Sequence, residues 1–375
     1  MMISKNKLKE IALSVGVSEI GVTTAEPLYY LRDRLQRRSV EGRISPFEEE
    51  NLDLRLSPDG VLDGCRSIIT MAIPYATENS QIPFSGKGPL GLVTRCARST
   101  DYHRVAEHKA RQIVELIRRK TKVLFKYKIL SDRSPLVERE LAHNAGLGWF
   151  GENCTLVNRR FGSYTALCTI LVDQEMEPAA PVENNCRNCG RCREACPTNA
   201  LIEPFILNPY RCLSYLTQAG GVFPREMRSL LGRRIYGCDS CQDSCPANAD
   251  AEHSTLPEFI FPLFPTEPLL LPLLKLTGSE FDQTIRLTSA GWRGKTTLQR
   301  NVVIALGNSR DPSALRPLAR SLENDPRPLI RLHAAWALAR IGGPRAQFAL
   351  DKSRQNDPEP EIRLEATTAL QEDWP

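Results

Sequence analysis

Eight of the twelve cysteines in this 375-residue chain stand in a pattern that can do chemistry. Cys186-x2-Cys189-x2-Cys192-x3-Cys196-Pro197 is followed about forty residues later by Cys238-x2-Cys241-x3-Cys245-Pro246. The first spacing wraps a [4Fe–4S] cluster thiolate by thiolate, and where one chain holds two clusters the fourth cysteine of a run turns back to the other cluster. The second run lacks one upstream cysteine, which Cys212 supplies. One cluster is therefore expected on Cys186, Cys189, Cys192 and Cys245, the other on Cys196, Cys212, Cys238 and Cys241. Zinc also binds CxxC pairs, but three cysteines at successive CxxC intervals closed by Cys-Pro favour iron and sulfide. Clusters in series carry single electrons and do little bond chemistry themselves. Something else in the chain must use those electrons.

Other candidates are weaker one by one. Gly146-Leu-Gly148-Trp-Phe-Gly151 has the GxGxxG form, but a dinucleotide site needs a strand before it and a helix after it. Here the order is reversed, so a tight glycine turn is expected. Asp101-Tyr-His103-x-x-Ala106 approaches a corrinoid-type DxHxxG box without its last glycine, and Asp101 reads better as the cap of a helix. Asp132 follows a strand and precedes Arg133-Ser-Pro135, a place from which a carboxyl can reach a pocket as an acid, or simply cap the next helix. Trp292, Arg293, Lys295, Arg300 and Asn301 open the last part of the chain, where arginines spread over helices could follow a phosphate backbone and an exposed tryptophan could stack on bases.

The elements that must position these residues fall into four stretches. Residues 1–180 mix helix and strand. An amphipathic helix at Leu8, Ile11, Ala12 and Val15 precedes a strand from Glu19 to Thr23, and a buried strand runs from Ser67 to Ile73. A helix is expected from His103 to Lys120, a half-exposed strand from Val123 to Ile129, a helix from Pro135 to Ala145 and a strand from Thr165 to Asp173. Residues 181–255 form the cysteine-rich module and 256–295 a proline-rich connector. In residues 296–375, Ala305-Leu306, Ala337-Leu338 and Ala369-Leu370 recur at intervals of 32, with Asp-Pro breaks at Asp311, Asp325 and Asp357. That is the mark of short HEAT-like helical repeats. The class is α+β: an α/β core, an inserted two-cluster module and a helical tail. The formal charge of +5 permits a nucleic-acid partner without requiring one. No secretory h-region follows Met1 to Glu10, and prolines cut the most apolar stretch (residues 259–276) well short of the ~20 residues a membrane span needs. A cytoplasmic protein without membrane attachment is expected.

The double cysteine run, Cys212-Leu-Ser-Tyr-Leu-Thr-Gln218, Tyr236-Gly-Cys-Asp-Ser-Cys-Gln242 and the Gly-Trp-Arg-Gly-Lys entry to the repeats together resemble the epoxyqueuosine reductase family, over almost the whole chain. The resemblance implies a cobalamin-dependent oxidoreductase that reduces the epoxide of epoxyqueuosine at the tRNA wobble position to queuosine, through cob(I)alamin fed by the two clusters. It implies a core related to that of reductive dehalogenases, with Asp132 as proton donor and Arg55, Cys96, Asn153, Ser214, Gln218 and Asp239 facing the corrinoid. Family members often carry a lysine after the glycine turn, whereas this chain has Glu152. The tRNA anticodon arm and an external low-potential electron donor would be its partners, and a monomer its state. Two other readings share parts of the pattern. A dehalogenase-like corrinoid reductase of a small molecule leaves the tail unexplained, and an iron–sulfur carrier with a protein-docking tail would hold no cobalt.

Overall fold

The structure is a computed structural model and describes residues 3–78, 86–132 and 134–372. The chain gathers into two compact units, the first made of residues 1–78, 100–212 and 240–261, the second of 79–99, 213–239 and 262–375.

The first unit is built on a four-stranded sheet. Its elements are α1 (Lys5–Ser14), β1 (Glu19–Thr24), α2 (Arg32–Val40), α3 (Leu52–Leu56), β2 (Ser67–Pro74), α4 (Tyr102–Thr121), β3 (Tyr127–Leu130), α5 (Glu138–Asn144) and β4 (Thr165–Val172). The strand order is β1-β2-β4-β3 and every pairing is antiparallel, with Ile69 of β2 opposite both Val22 and Ile170. Every residue of β2 is buried, because both faces of the sheet are covered. Ile69, Met71 and Ile73 pack on one side with Leu8 and Ile11 of α1 and Val105, Ile113 and Ile117 of α4. Ile68 packs on the other with Leu56 and Leu141. Each such side chain contributes about 1.5–3 kcal/mol by leaving water.

Two expected elements are shorter than the sequence pattern suggests. The alternation at residues 123–129 becomes a strand only from Tyr127, because the Arg118 guanidinium takes the Phe125 carbonyl and lies over the Phe125 and Tyr127 rings. The helix expected from Pro135 starts at Glu138, since Glu138 reaches back to the Asp132 N–H across the loop between. The glycine turn is a tight hairpin, with Trp149–Phe150 paired to Leu156–Val157. A Cβ on Gly148 would lie 2.3 Å from the Val157 carbonyl oxygen, which reserves the position for glycine.

The second unit ends in five helices, α6 (Gly294–Ser309), α7 (Leu315–Asn324), α8 (Pro328–Ile341), α9 (Pro344–Asn356) and α10 (Pro360–Gln371). Ala305, Ala337 and Ala369 are buried on α6, α8 and α10, so the 32-residue period is the repeat of one packed helix face. Asp325 and Asp357 accept the Arg327 and Glu359 N–H groups, each at 2.9 Å, and start α8 and α10 with proline in the first turn.

Arg300 and Asn301 correct one expectation. They are 1% and 0% exposed, so neither can meet a nucleic acid. Arg300 donates to the carbonyls of Leu216, Ala219 and Gly221, and Asn301 to those of Thr217 and Ile235. Their polarity serves the interior: they fasten α6 to the segment that follows Cys212. Asn301→Ala, which leaves two buried carbonyls unpaired, should cost about 3 kcal/mol. Urea unfolding of the variant against the parent measures it, and a difference below about 0.5 kcal/mol would refute the anchoring role.

Candidate functional site

Asp132 stands two residues beyond the end of β3 in the left-handed region, at φ 57°, a conformation that asparagine and aspartate tolerate better than most residues. Its N–H donates to Glu138 Oε2 at 3.1 Å. Its carboxylate accepts from the Tyr102 hydroxyl and lies 3.4 Å from His103 Nε2. The other ring nitrogen of His103, Nδ1, is 2.6 Å from Asp101 Oδ1, and the ring stacks on Tyr102 with centroids 4.1 Å apart. Asp101 also caps α4 by accepting the His103 N–H at 3.1 Å, as expected of it. His103 is thus held between two carboxylates.

This geometry sets the protonation states. Burial opposes the charge on His103, but its hydrogen bonds to Asp101 and Asp132 outweigh it and push its pKa up to about 9. Partial burial likewise opposes ionisation of Asp132, while His103 and Tyr102 hold its carboxyl below the usual range. Glu138 goes the other way: burial and the neighbouring Asp132 charge push it up to about 8. At neutral pH the group therefore holds a cationic imidazole and a neutral Glu138 around an ionised Asp132. Sequence reading found Asp132 but not Tyr102, His103 or Glu138. The available signal is the Asp101-Tyr-His103 run, whose spacing suggests a helix cap or an incomplete corrinoid-type box and does not announce the contact with Asp132.

The four thiols of Cys186, Cys189, Cys192 and Cys245 line one cavity of ≈ 250 Å³ in the first unit, together with Glu152 and Asn153. Among the described residues, no group of three or more His, Cys, Asp or Glu is placed to hold a single metal ion. Glu152 is buried and its Oε2 accepts the Gly190 N–H at 3.1 Å, so it fixes the loop between Cys189 and Cys192. Beyond that loop, burial opposes the thiolate of Cys196, but N–H groups of Thr198, Ala200 and Leu201 aimed at its sulfur lower its pKa. Thr198 and Arg211 bond each other through Thr198 Oγ1 to Arg211 O at 2.6 Å and Arg211 Nε to Thr198 O at 2.9 Å, which ties down the residue before Cys212. Cys241 belongs to the same unit and Cys238 to the other.

The remaining candidates divide by unit. In the first, Arg55 is buried with Nη1 3.0 Å from Glu48 Oε2, and Asn153 is buried with Oδ1 accepting from Thr155. Arg55 Nε and Asn153 Nδ2 have no hydrogen-bond partner among the described residues. In the second unit, Gln218 bonds Ser214 O through Nε2 and accepts from Tyr236 Oη and Trp292 Nε1. Trp292 is 40% exposed and carries the Arg293 guanidinium over its ring. Asp239 accepts from the Thr94 hydroxyl and the Arg95 N–H, and the Cys96 carbonyl accepts from Ser289 Oγ at 3.0 Å. Ser214, Gln218 and Trp292 therefore form one connected group, and Lys295 lies half-buried one turn further on.

The raised His103 pKa has a signed consequence. The folded state binds this proton more tightly than the unfolded chain, whose histidine titrates near 6.5. The contribution is therefore complete below about pH 6.5 and disappears as pH rises through about 9. Glu138, also raised, adds a loss of stability between its ordinary 4.5 and about 8. Denaturant midpoints should fall between pH 6.5 and 9, and less so in His103→Gln. The imidazole resonance should titrate near 9 in the parent and lower in Asp132→Asn. A parent midpoint at 6.5 would dismiss the paired-carboxylate arrangement.

Comparison with known proteins follows the same map. Residues 55–133 match the family model described as Epoxyqueuosine reductase QueG, DUF1730. Residues 185–248, which include Cys212 and the seven cysteines of the two runs, match a 4Fe-4S double cluster binding domain, and residues 294–371 match HEAT repeats. Epoxyqueuosine reductase of Bacillus subtilis is 37% identical over 341 residues, 91% of this chain and 88% of the relative. That of Escherichia coli is 33% identical over 343 residues, 89% and 88% of the two. A crystal structure of epoxyqueuosine reductase with an epoxyqueuosine-modified tRNA-Tyr stem loop aligns with a TM-score of 0.92 at 36% identity, over 98% of both chains. The Streptococcus thermophilus enzyme aligns at 0.90 and 32% identity over 97% of this chain and 98% of its own. Likeness that runs through the core, the cysteine loops and the repeats alike leaves one conclusion: the chain belongs to the epoxyqueuosine reductase family.

Proposed function

We propose that this protein reduces the epoxide of epoxyqueuosine at the wobble position of tRNA to give queuosine, with cobalamin and two [4Fe–4S] clusters as cofactors. The observation that carries this reading is the likeness, over 98% of both chains, to a solved epoxyqueuosine reductase holding an epoxyqueuosine-modified stem loop. The balanced change is epoxide plus two electrons and two protons to alkene plus water. Cobalamin reduced through the clusters supplies, when bound, the low-potential electrons for it.

The protons fall to this chain. The oxygen leaving an epoxide carbon is too basic to depart as an alkoxide near neutral pH, so an acid must meet it. We assign that delivery to Asp132. Its carboxylate is ionised at rest, and the proton it hands on is the one stored on His103, with Tyr102 as a further donor to the same carboxylate. A solved Bacillus subtilis relative is described with its catalytic aspartate loop swung out of the active site, and Asp132 lies on such a loop, between β3 and α5.

Arg55 Nε and Asn153 Nδ2, buried donors without a partner among the described residues, suit a corrinoid rim rich in amide carbonyls. Cys96, Ser214, Gln218 and Asp239 complete the residues we assign to the cofactor. Cys186, Cys189, Cys192 and Cys245 hold one cluster in this reading, and Cys196, Cys212, Cys238 and Cys241 the other. Trp292 with Arg293, and Lys295, would meet the anticodon arm by stacking and charge. An external low-potential donor, a monomeric state and a cytoplasmic setting belong to the same proposal, as does the division into modules at residues 180, 255 and 295. Among the described residues no helix is long and apolar enough to cross a membrane.

The test is anaerobic protein loaded with iron, sulfide and cobalamin, given epoxyqueuosine-containing tRNA and a strong reductant, with nucleosides read by mass spectrometry. Queuosine is expected only with cobalamin, and its absence from fully loaded protein would overturn the substrate. Asp132→Asn should keep both cofactors and lose about 10²–10⁴-fold in turnover; parent-like turnover would overturn the proton assignment.

A further inference from the structure

Glu152 takes no part in the proton delivery, yet among the described residues it is the one buried charged side chain on the wall of the cavity lined by Cys186, Cys189, Cys192 and Cys245. It is 4% exposed, whereas Arg159, Arg187 and Asp250, the other charged side chains of that wall, are all exposed. Its Oε2 accepts the Gly190 N–H at 3.1 Å, and its own carbonyl oxygen accepts the Phe205 N–H at 3.0 Å, so the residue is held from both ends.

We propose that Glu152 is a positioning residue that lowers the reduction potential of the cluster held by these four cysteines, through its fixed, buried negative charge. The inference rests on the ligand set assigned above. Reduction adds one electron to the cluster, and a carboxylate in the same wall opposes that added charge. In water the repulsion is slight, but at a partly buried site it is several-fold stronger. The exposed arginines are screened by solvent and salt and offset little of it. The hydrogen bond acts in the same direction. An N–H aimed at cluster sulfur raises the potential, and Glu152 keeps the Gly190 N–H for itself. A low-potential cluster is the stronger donor to whatever stands next in the electron path.

Glu152→Gln removes the charge and keeps a carbonyl to accept from Gly190. The experiment is an anaerobic redox titration of the cluster-loaded full chain followed by electron paramagnetic resonance, which needs neither cobalamin nor tRNA. The parent should show two one-electron waves. In Glu152→Gln, with iron content unchanged, one wave should move to higher potential by the equivalent of about tenfold in its reduction constant, about 59 mV. Glu152→Lys should move it further in the same direction. Cys186→Ser should remove the wave that moves. Waves at parental potentials in Glu152→Gln would overturn the proposal, and so would loss of iron, which would make the carboxylate a loop tie only. A Cys186→Ser protein that keeps both waves would instead overturn the ligand set.

Discussion

A proton parked on an imidazole between two carboxylates is the arrangement around which the first unit is organised. Asp101 and His103 come from the first turn of α4, and Asp132 from the loop after β3. They meet because α4 crosses the sheet face, with Val105, Ala106 and Ala110 buried against it, so its N-terminal turn is fixed relative to the strand ends. The helix cap and the chemistry share one residue. Asp101 satisfies the His103 N–H and at the same time holds the ring. Any change that frays this turn disturbs cap and proton store together.

The fold was largely legible in the sequence, and the reason differs by region. The strand at Ser67 and the helix at His103 could be read because their apolar periods are long and unbroken. The repeats could be read because three Ala-Leu pairs at a fixed period mark one buried face. The strand at residues 123–129 could not, since its first half is shaped by a guanidinium that arrives from α4. The start of α5 was hidden for a similar reason: Glu138 is drawn to the Asp132 N–H, a contact no local propensity announces.

The candidate site was legible in one half only. Cysteine spacing is itself a geometric statement, so the candidate cluster ligands could be grouped before any fold was known, and four of them do line one cavity. The residues proposed to face the corrinoid came from family likeness, and Asp132 stood out only as a candidate acid at a strand end until that likeness gave it a role. His103 and Glu138 were missed because a protonation state depends on burial and on contacts that spacing does not announce: His103 and Asp132 lie 29 positions apart. Arg300 and Asn301 failed in the opposite sense. A charged residue near a helix start reads as surface, yet here an arginine side chain is a bracket that collects carbonyls from 216 to 221. Charge in a sequence says that a partner is needed, not whether that partner is a nucleic acid or the backbone.

The same rule connects the two kinds of charge this protein must handle. Burial opposes the charge on His103, which Asp101 and Asp132 preserve, and the buried Glu152 carboxylate has the Gly190 N–H as its hydrogen-bond partner. Exposed charges such as Arg159 and Arg187 need no partner and exert little force. Control over both electrons and protons therefore lies with a few groups whose hydrogen bonds can be counted. A substitution at one of these acts through the charge it leaves unbalanced more than through the contact it removes. That is why an amide of the same shape tests Asp132 and Glu152 better than an alanine does: it keeps the packing and changes the field.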